Sequence, residues 1–457
     1  ILLVAAMLTT LFVGCTKDEV TDATDTPVAD AGTDTPDADT DAPEVEAAEV
    51  TGTITVITQR TDLLLEDAPI SMMDYAAAFN EIYPGVTVEF EGITDYEGQI
   101  RIRMNTVEYG DVLMIPRENF TLDMLPDFFE PLGTLEEMSA EYLWMTDFAY
   151  DGMSYGIPSV GNAQGVLYNK DVWAEAGITE LPTSVDEYLA DLQLVKDNTD
   201  SIPYYTNYAA GWPLGGQWEA EAPSLSGDPD WANSVAHQDA PWAEGEPYYV
   251  MSKLLYDIVA NGLSEEDPTG TDWEGCKGML ARGDISSMVL GSWSIVQMQE
   301  AAVLEGLDPE VIGYMPFPYT AADGNIYAAS GSDYNLGINV NSENKEAAKA
   351  WVMWFVNDSG FTIDQGGISP RIGAAMPSTL QGFEDLGVIF MTNNPAPAGE
   401  ETLLDDVDAE SEIGRWSESY RMRILEAAIG NRDETFDDIM ADLNARWAAA
   451  REAVGAN

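Results

Sequence analysis

Hydrophobic and polar positions follow two different periods along this chain, and the switches between them outline its elements. Thr53-Ile54-Thr55-Val56-Ile57 alternates polar and apolar as a half-buried strand does. Met72, Tyr75, Ala76, Phe79 and Tyr83 then fall on one helical face, which Pro84-Gly85 ends. Alternation returns at Val86-Thr87-Val88-Glu89-Phe90, and after another amphipathic stretch comes the short apolar run Val112-Leu113-Met114-Ile115. Strand, helix, strand, helix, strand predicts an α/β fold with a largely parallel sheet. Further on, Ser342 stands as the cap of a helix that puts Ala348, Trp351, Val352 and Phe355 on one face. The chain closes with a helix marked by Phe436, Ile439, Met440, Leu443 and Trp447. No repeat period and no internal membrane span appear.

The first fifty residues break this pattern. Ile1 to Gly14 are largely apolar and run directly into Cys15, too few residues to span a bilayer stably. An apolar segment ending in small residues before a cysteine resembles a bacterial lipoprotein signal, with Cys15 as the lipidated residue. Phe12 departs from that pattern, which places Leu there. The chain starts with neither Met nor a basic segment, so the beginning of the signal is expected to precede Ile1. Thr16 to Val50 repeat Thr, Asp, Ala and Pro without aromatics, which predicts a disordered, self-repelling leash reaching on the order of 30 Å.

Composition sharpens the picture. Of 457 residues roughly 400 remain beyond the leash, enough for two packed domains. Apolar content of 45% with twelve Trp and twenty Tyr marks a folded, aromatic-rich body. The net charge of −62 is concentrated in that body and not in the leash, so phosphate-bearing partners are repelled and nucleic acid is excluded. With Cys15 assigned to the lipid, Cys276 has no partner for a disulfide and reads as a buried structural thiol.

Catalytic and metal motifs are weak. Gly152-Met153-Ser154-Tyr155-Gly156 matches the nucleophile-elbow spacing, but that elbow needs a strand before the serine and a helix after it. Here Pro158 follows closely, and Asp151-Gly152 reads as a hairpin turn. The sole histidine, His237, lies in a polar loop, so neither a catalytic base nor a zinc site is marked. Asp37, Asp39 and Asp41 begin like a calcium loop, yet Ala42 and Ala48 stand where Gly and Glu belong. No phosphate-binding Gly-rich loop with Lys and Ser/Thr occurs, and no spacing marks a pair of glycosidase carboxylates. Neither a cofactor nor a metal is expected.

A run of segments carries a family resemblance. Asp151 to Pro158, Leu167 to Trp173, Ala176-Gly177-Ile178 and Leu181 to Tyr188, with Phe79 to Val88, Gly110 to Leu113, Met288 to Trp293, Gly337 to Trp351 and Ser369-Pro370-Arg371, stand in one order. Together they resemble family 1 of the extracellular solute-binding proteins, sugar-binding lipoproteins that feed ABC importers. The resemblance implies a two-lobed, periplasmic-binding-protein-like clamshell (type II), each lobe a sheet flanked by helices. It implies chain crossings near Pro158, Pro316 and Asn357. One lobe would then hold 51–158 and 313–356, the other 159–312 and 357–457, following the 1–15 signal remnant and the 16–50 linker. It implies a monomer that catalyses nothing, captures a carbohydrate (an oligosaccharide by expectation) and delivers it to permease subunits driven by a separate ATPase, at the outer face of the membrane through the lipid anchor.

A pyranose offers an apolar face for aromatic stacking and a rim of hydroxyls that need paired donors and acceptors. By the family pattern Trp293 is the expected stacking platform, Trp212 a second, and Asn162 a polar contact. Asp111 binds hydroxyls or only fixes its loop. Arg60 and Asp62, after the first strand, supply a donor and an acceptor, and Ser332, Asp333 and Arg371 complete the candidates. Trp173, Trp351, Trp354 and Trp447 are expected in the core, while Trp416 fits either role. Two alternatives stay open: the acidity suits a polyamine or another cationic solute, and a surface glycosidase using two carboxylates is a second class.

Overall fold

The computed structural model describes residues 50–65, 70–94, 96–117 and 120–456. Cys15, the acidic leash and its Asp37–Asp39–Asp41 run lie outside the described residues.

The opening alternation becomes strand β1 (Gly52–Thr58), which pairs in parallel with β2 (Val86–Gly92) and with β3 (Val112–Met114). The helix between β1 and β2, Met72–Ile82, starts at a reciprocal cap: Ser71 accepts from the Asp74 N–H and Asp74 accepts from the Ser71 N–H. Its apolar face packs Phe79 edge-on against Trp351 of helix Lys345–Asn357. Asn344, and not Ser342, takes the N-cap position of that second helix; the Ser342 hydroxyl is drawn to Asp111 instead. Trp351 and Trp354 are buried there as expected, as are Trp173 and Trp447 elsewhere.

Three two-residue strands, β4 (Gly133–Thr134), β5 (Ala149–Tyr150) and β6 (Met153–Ser154), form a small antiparallel sheet. Asp151 and Gly152 turn between β5 and β6 with φ of 47° and 76°, a hairpin geometry open to Asp and Gly. Ser154 is fully buried in that hairpin, which excludes the nucleophile elbow on structural grounds.

β7 (Gly156–Ala163) leaves this region and leads into β8 (Val166–Asn169). With β9 (Ser287–Val289) and β10 (Ile312–Met315), β8 forms a second antiparallel sheet of order β10-β8-β9. β11 (Tyr327–Ile338) pairs with β7 along its length. Its start pairs with β12 (Ile389–Met391), and its end, Leu336–Ile338, pairs with β3. β10 leaves the second sheet at Met315, and from Tyr327 the chain runs as β11 in the sheet of β1, β2 and β3. A third connection follows Asn357: the Thr362 hydroxyl donates to the Ser159 carbonyl, and Ile368 bridges to Gly161.

Each sheet has its own apolar core. One gathers Ile54, Phe79, Val112, Ile338 and Trp351; another gathers Val166, Trp218, Trp242, Leu255, Ile424 and Trp447. The molecule is a two-lobed α/β clamshell in which the strands β7 and β11 join the lobes.

Candidate functional site

A cleft of about 1270 Å³ opens beside the two joining strands. From the carboxyl end of β1, where ligands of parallel sheets sit, come Arg60 and Asp62. From the joining strands come Asn162 and Asp333, and from the opposite lobe comes Trp293.

Local sequence explains how Trp293 is held. Gly291 ends the approach to the helix Ser294–Leu304, and a Cβ there would stand 2.6 Å from the Trp293 indole nitrogen, so only glycine lets the ring fold back. The Gly291 N–H donates to Gln217 Oε1 at 2.8 Å, and the Ser294 hydroxyl donates to the Gly291 carbonyl at 2.6 Å. Trp293 is left half-buried, with Trp212 at 5.8 Å and Trp273 at 6.2 Å between ring centroids. Trp212 meets Trp273 edge-on at 4.9 Å, and Lys277 Nζ lies 5.1 Å from the centre of the Trp273 ring. Three indoles thus make one aromatic wall, of which Trp293 lines the cleft.

Facing it are paired polar groups. The Arg60 guanidinium forks onto Asp62 at 3.0 and 2.6 Å and donates to Gln365 Oε1 at 2.5 Å. Burial alone raises the Asp62 pKa, but the Arg60 hydrogen bond and charge outweigh it and hold the carboxyl below its ordinary range. Asn162 Nδ2 donates to Asp333 Oδ2 at 3.2 Å, and the Tyr334 N–H donates to Asp333 Oδ1 at 2.8 Å. For Asp333 burial prevails over the Tyr334 N–H, Arg117, Arg60 and Asn162, and its pKa is raised. The cations Arg60, Lys277 and Arg282 that line this cleft are all ion-paired, to Asp62, Glu274, and Asp284 with Glu305.

Of the expected site residues, Arg60, Asp62, Asn162, Asp333 and Trp293 converge, and Trp212 backs Trp293. The other three fall elsewhere. Asp111 lies before β3, opposite Thr55, and so toward the amino end of the sheet. It accepts the Thr55 N–H at 2.7 Å and the Ser342 hydroxyl at 2.5 Å, which makes it a loop fastener. Ser332 neighbours Asp333 on a strand, so its side chain leaves by the opposite face. It donates to Asp147 and accepts from Arg117 and Asn335. Arg371 is exposed and bridges by backbone to Tyr142, away from the cleft. Two contributors were missed. Trp273 carries a local signal, an indole directly after the helix cap Asp272. Gln365 carries none, since only the third connection brings it to Arg60.

Sequence and structure comparisons bear on the family and the fold. A family model described as bacterial extracellular solute-binding protein matches residues 66–360. The diacetylchitobiose binding protein DasA of Streptomyces coelicolor is 26% identical over 242 residues, 51% of this chain and 52% of that protein, so the chain spans about half the length of that relative. Among solved structures, BlMnBP1, a binding protein of an ABC transporter from Bifidobacterium animalis subsp. lactis in complex with mannobiose, is 37% identical. It superimposes with a TM-score of 0.78, covering 90% of this chain and 96% of that one. BlMnBP2, a manno-oligosaccharide specific solute binding protein from the same organism in complex with mannotriose, is 34% identical with a TM-score of 0.77 and the same coverage.

Proposed function

The chain belongs to the bacterial extracellular solute-binding protein family, and from that premise we propose that it captures a short manno-oligosaccharide for an ABC importer. It is a binding subunit and not an enzyme, it works outside the cytoplasm, and its ligand is a carbohydrate. The mannose-type ligand is carried over from the two relatives with 37% and 34% identity.

The observation that carries the reading is the convergence of an indole wall with two polar pairs, Arg60–Asp62 and Asn162–Asp333, in one cleft. Trp293 stacks on the apolar face of a sugar ring. The Arg60–Asp62 and Asn162–Asp333 pairs each offer donors and acceptors to adjacent hydroxyls, and their selectivity lies in the cost of leaving any of them unpaired. The cleft lining carries six carboxylates against the three cations Arg60, Lys277 and Arg282, so the preference for a sugar over a polyamine rests on the aromatic wall and the sugar-bound relatives and not on charge. Ligand bound between the lobes draws them together by bending the joining strands. Each chain holds both walls of the cleft, so a monomer suffices.

Membrane attachment through a lipid on Cys15 belongs to the same reading. No described helix is long and apolar enough to cross a membrane.

Calorimetric and tryptophan-fluorescence titration with mannobiose, mannotriose and spermidine tests the function. Saturable sugar binding without hydrolysis is expected. Spermidine binding with no response to either sugar overturns the reading.

A further inference from the structure

Tyr334 stands inside β11 with φ of 46°, a left-handed backbone that a bulky residue takes only under constraint. Its effect shows in where the neighbouring side chains point. A regular strand sends successive side chains to opposite faces. Here Asp333 and Tyr334 both line the cleft, while Ser332 and Asn335 share the face behind it, where Asn335 Nδ2 donates to Ser332 Oγ at 2.8 Å. The pairing with β7 keeps its register through this point, with Asp333 opposite Val160 and Asn335 opposite Pro158. One backbone torsion, and not an inserted residue, brings two consecutive side chains to the cleft.

The connections between the lobes meet at this residue. The Ser159 hydroxyl of β7 donates to the Tyr334 carbonyl at 3.2 Å, and the Ser159 carbonyl accepts the Thr362 hydroxyl of the third connection at 2.8 Å. On the cleft side the Tyr334 N–H donates to Asp333, and the Arg60 guanidinium lies 5.9 Å from the centre of the Tyr334 ring. The next residue carries a second cost. Asn335 is buried, and its Oδ1 has no hydrogen-bond partner among the described residues. A left-handed torsion and an unpaired amide oxygen at successive residues persist only where the surroundings enforce them. Turning Tyr334 to the extended region relieves the torsion. It also restores alternation, and Asp333 and Tyr334 then no longer face the cleft together.

We propose that Tyr334 is a two-state backbone switch at the junction of the lobes, left-handed when Asp333 is set for the ligand and extended when it is not. It is a positioning residue, and its torsion matters more than its ring. A bound ligand has to hold the switch in its costly state, so whatever eases the left-handed backbone tightens binding. The inference rests on the carbohydrate reading for the choice of probe and goes beyond it in assigning the switch.

The test is calorimetric titration of the whole protein with mannotriose, or with malto- or chitotriose where the wild type takes one of those instead. Tyr334→Gly, Tyr334→Asn and Tyr334→Ala are compared, each also followed through thermal unfolding. All three lose the ring and differ in the cost of a left-handed backbone, lowest for Gly and highest for Ala. Affinity should fall in the order Gly, Asn, Ala, with Gly about five- to tenfold tighter than Ala. The Gly–Asn pair carries the same comparison on its own should Tyr334→Ala not fold. Melting temperatures that follow this order while the affinities stay equal mean a torsion fixed in every arrangement, which overturns the switch and leaves the carbohydrate reading standing. A wild type that binds none of these sugars brings down the carbohydrate reading and the switch with it.

Discussion

At the scale of single residues, the chemistry of the cleft comes from side chains whose surroundings fix their state. Trp293 is the sharpest case. Replacing it with Ala should weaken sugar binding by roughly 1–3 kcal/mol while leaving the melting temperature nearly unchanged, because it is a half-buried anchor and not a core residue. The reverse outcome, lost stability with full affinity, would make it structural. Glu221 gives a second prediction. It is fully buried, its Oε1 has no partner and its Oε2 only a 3.4 Å contact from Ser224, so burial pushes its pKa well above the ordinary carboxylate range. The folded state then keeps a proton that the unfolded state releases, and stability falls as pH rises from the ordinary carboxylate value toward the raised one. Glu221→Gln removes that slope, so its melting temperature should exceed the wild type's by more at pH 8 than at pH 4. A gain independent of pH would contradict the assignment. The family resemblance pointed to Trp293, and Arg60 and Asp62 stood out directly after the first strand; all three line the cleft. Asp111, read as a hydroxyl contact or a loop fastener, and Ser332 do not line it, because the edge of a sheet and the face of a strand are set by register that no local pattern carries.

At the scale of elements, the βαβ start was legible because its amphipathic faces are local. The pairing of β11 was not, since its partners come from distant parts of the chain: β3, β7 and β12. A second feature of this region was equally hidden. Trp144, with φ of 58°, lays its indole across β7, so that a Cβ on Gly161 would fall 2.1 Å from the ring, and its Nε1 donates to Thr392 Oγ1 at 2.9 Å. Gly161→Ala should displace the indole, break that hydrogen bond and cost about 1–3 kcal/mol by overpacking. Urea denaturation reads it directly, and an unchanged midpoint would mean that the ring yields freely.

At the scale of the whole molecule, the chain divides its tasks. In the proposed arrangement the body binds the ligand and a lipid on Cys15 keeps it near the importer. Cys15→Ser should move the protein from the membrane fraction to the soluble fraction with ligand affinity unchanged. Retention at the membrane would remove the lipid from the account. The cleft follows the sign of the whole chain, with six carboxylates (Asp62, Glu274, Glu300, Glu305, Asp333 and Asp364) against three cations (Arg60, Lys277 and Arg282), so charge alone does not separate a sugar from a cationic ligand.

β11 also constrains how such a chain can change over generations. Its twelve residues pair with β12, β7 and β3 within one sheet, and Asp333 reaches the cleft from it. Gaining or losing one codon within it would turn Asp333 away from the cleft or put the pairing with β7 and β3 out of register, whichever way the strand slipped. Relatives with working clefts should therefore vary freely in the length of their surface loops and show no single-residue gaps along this strand.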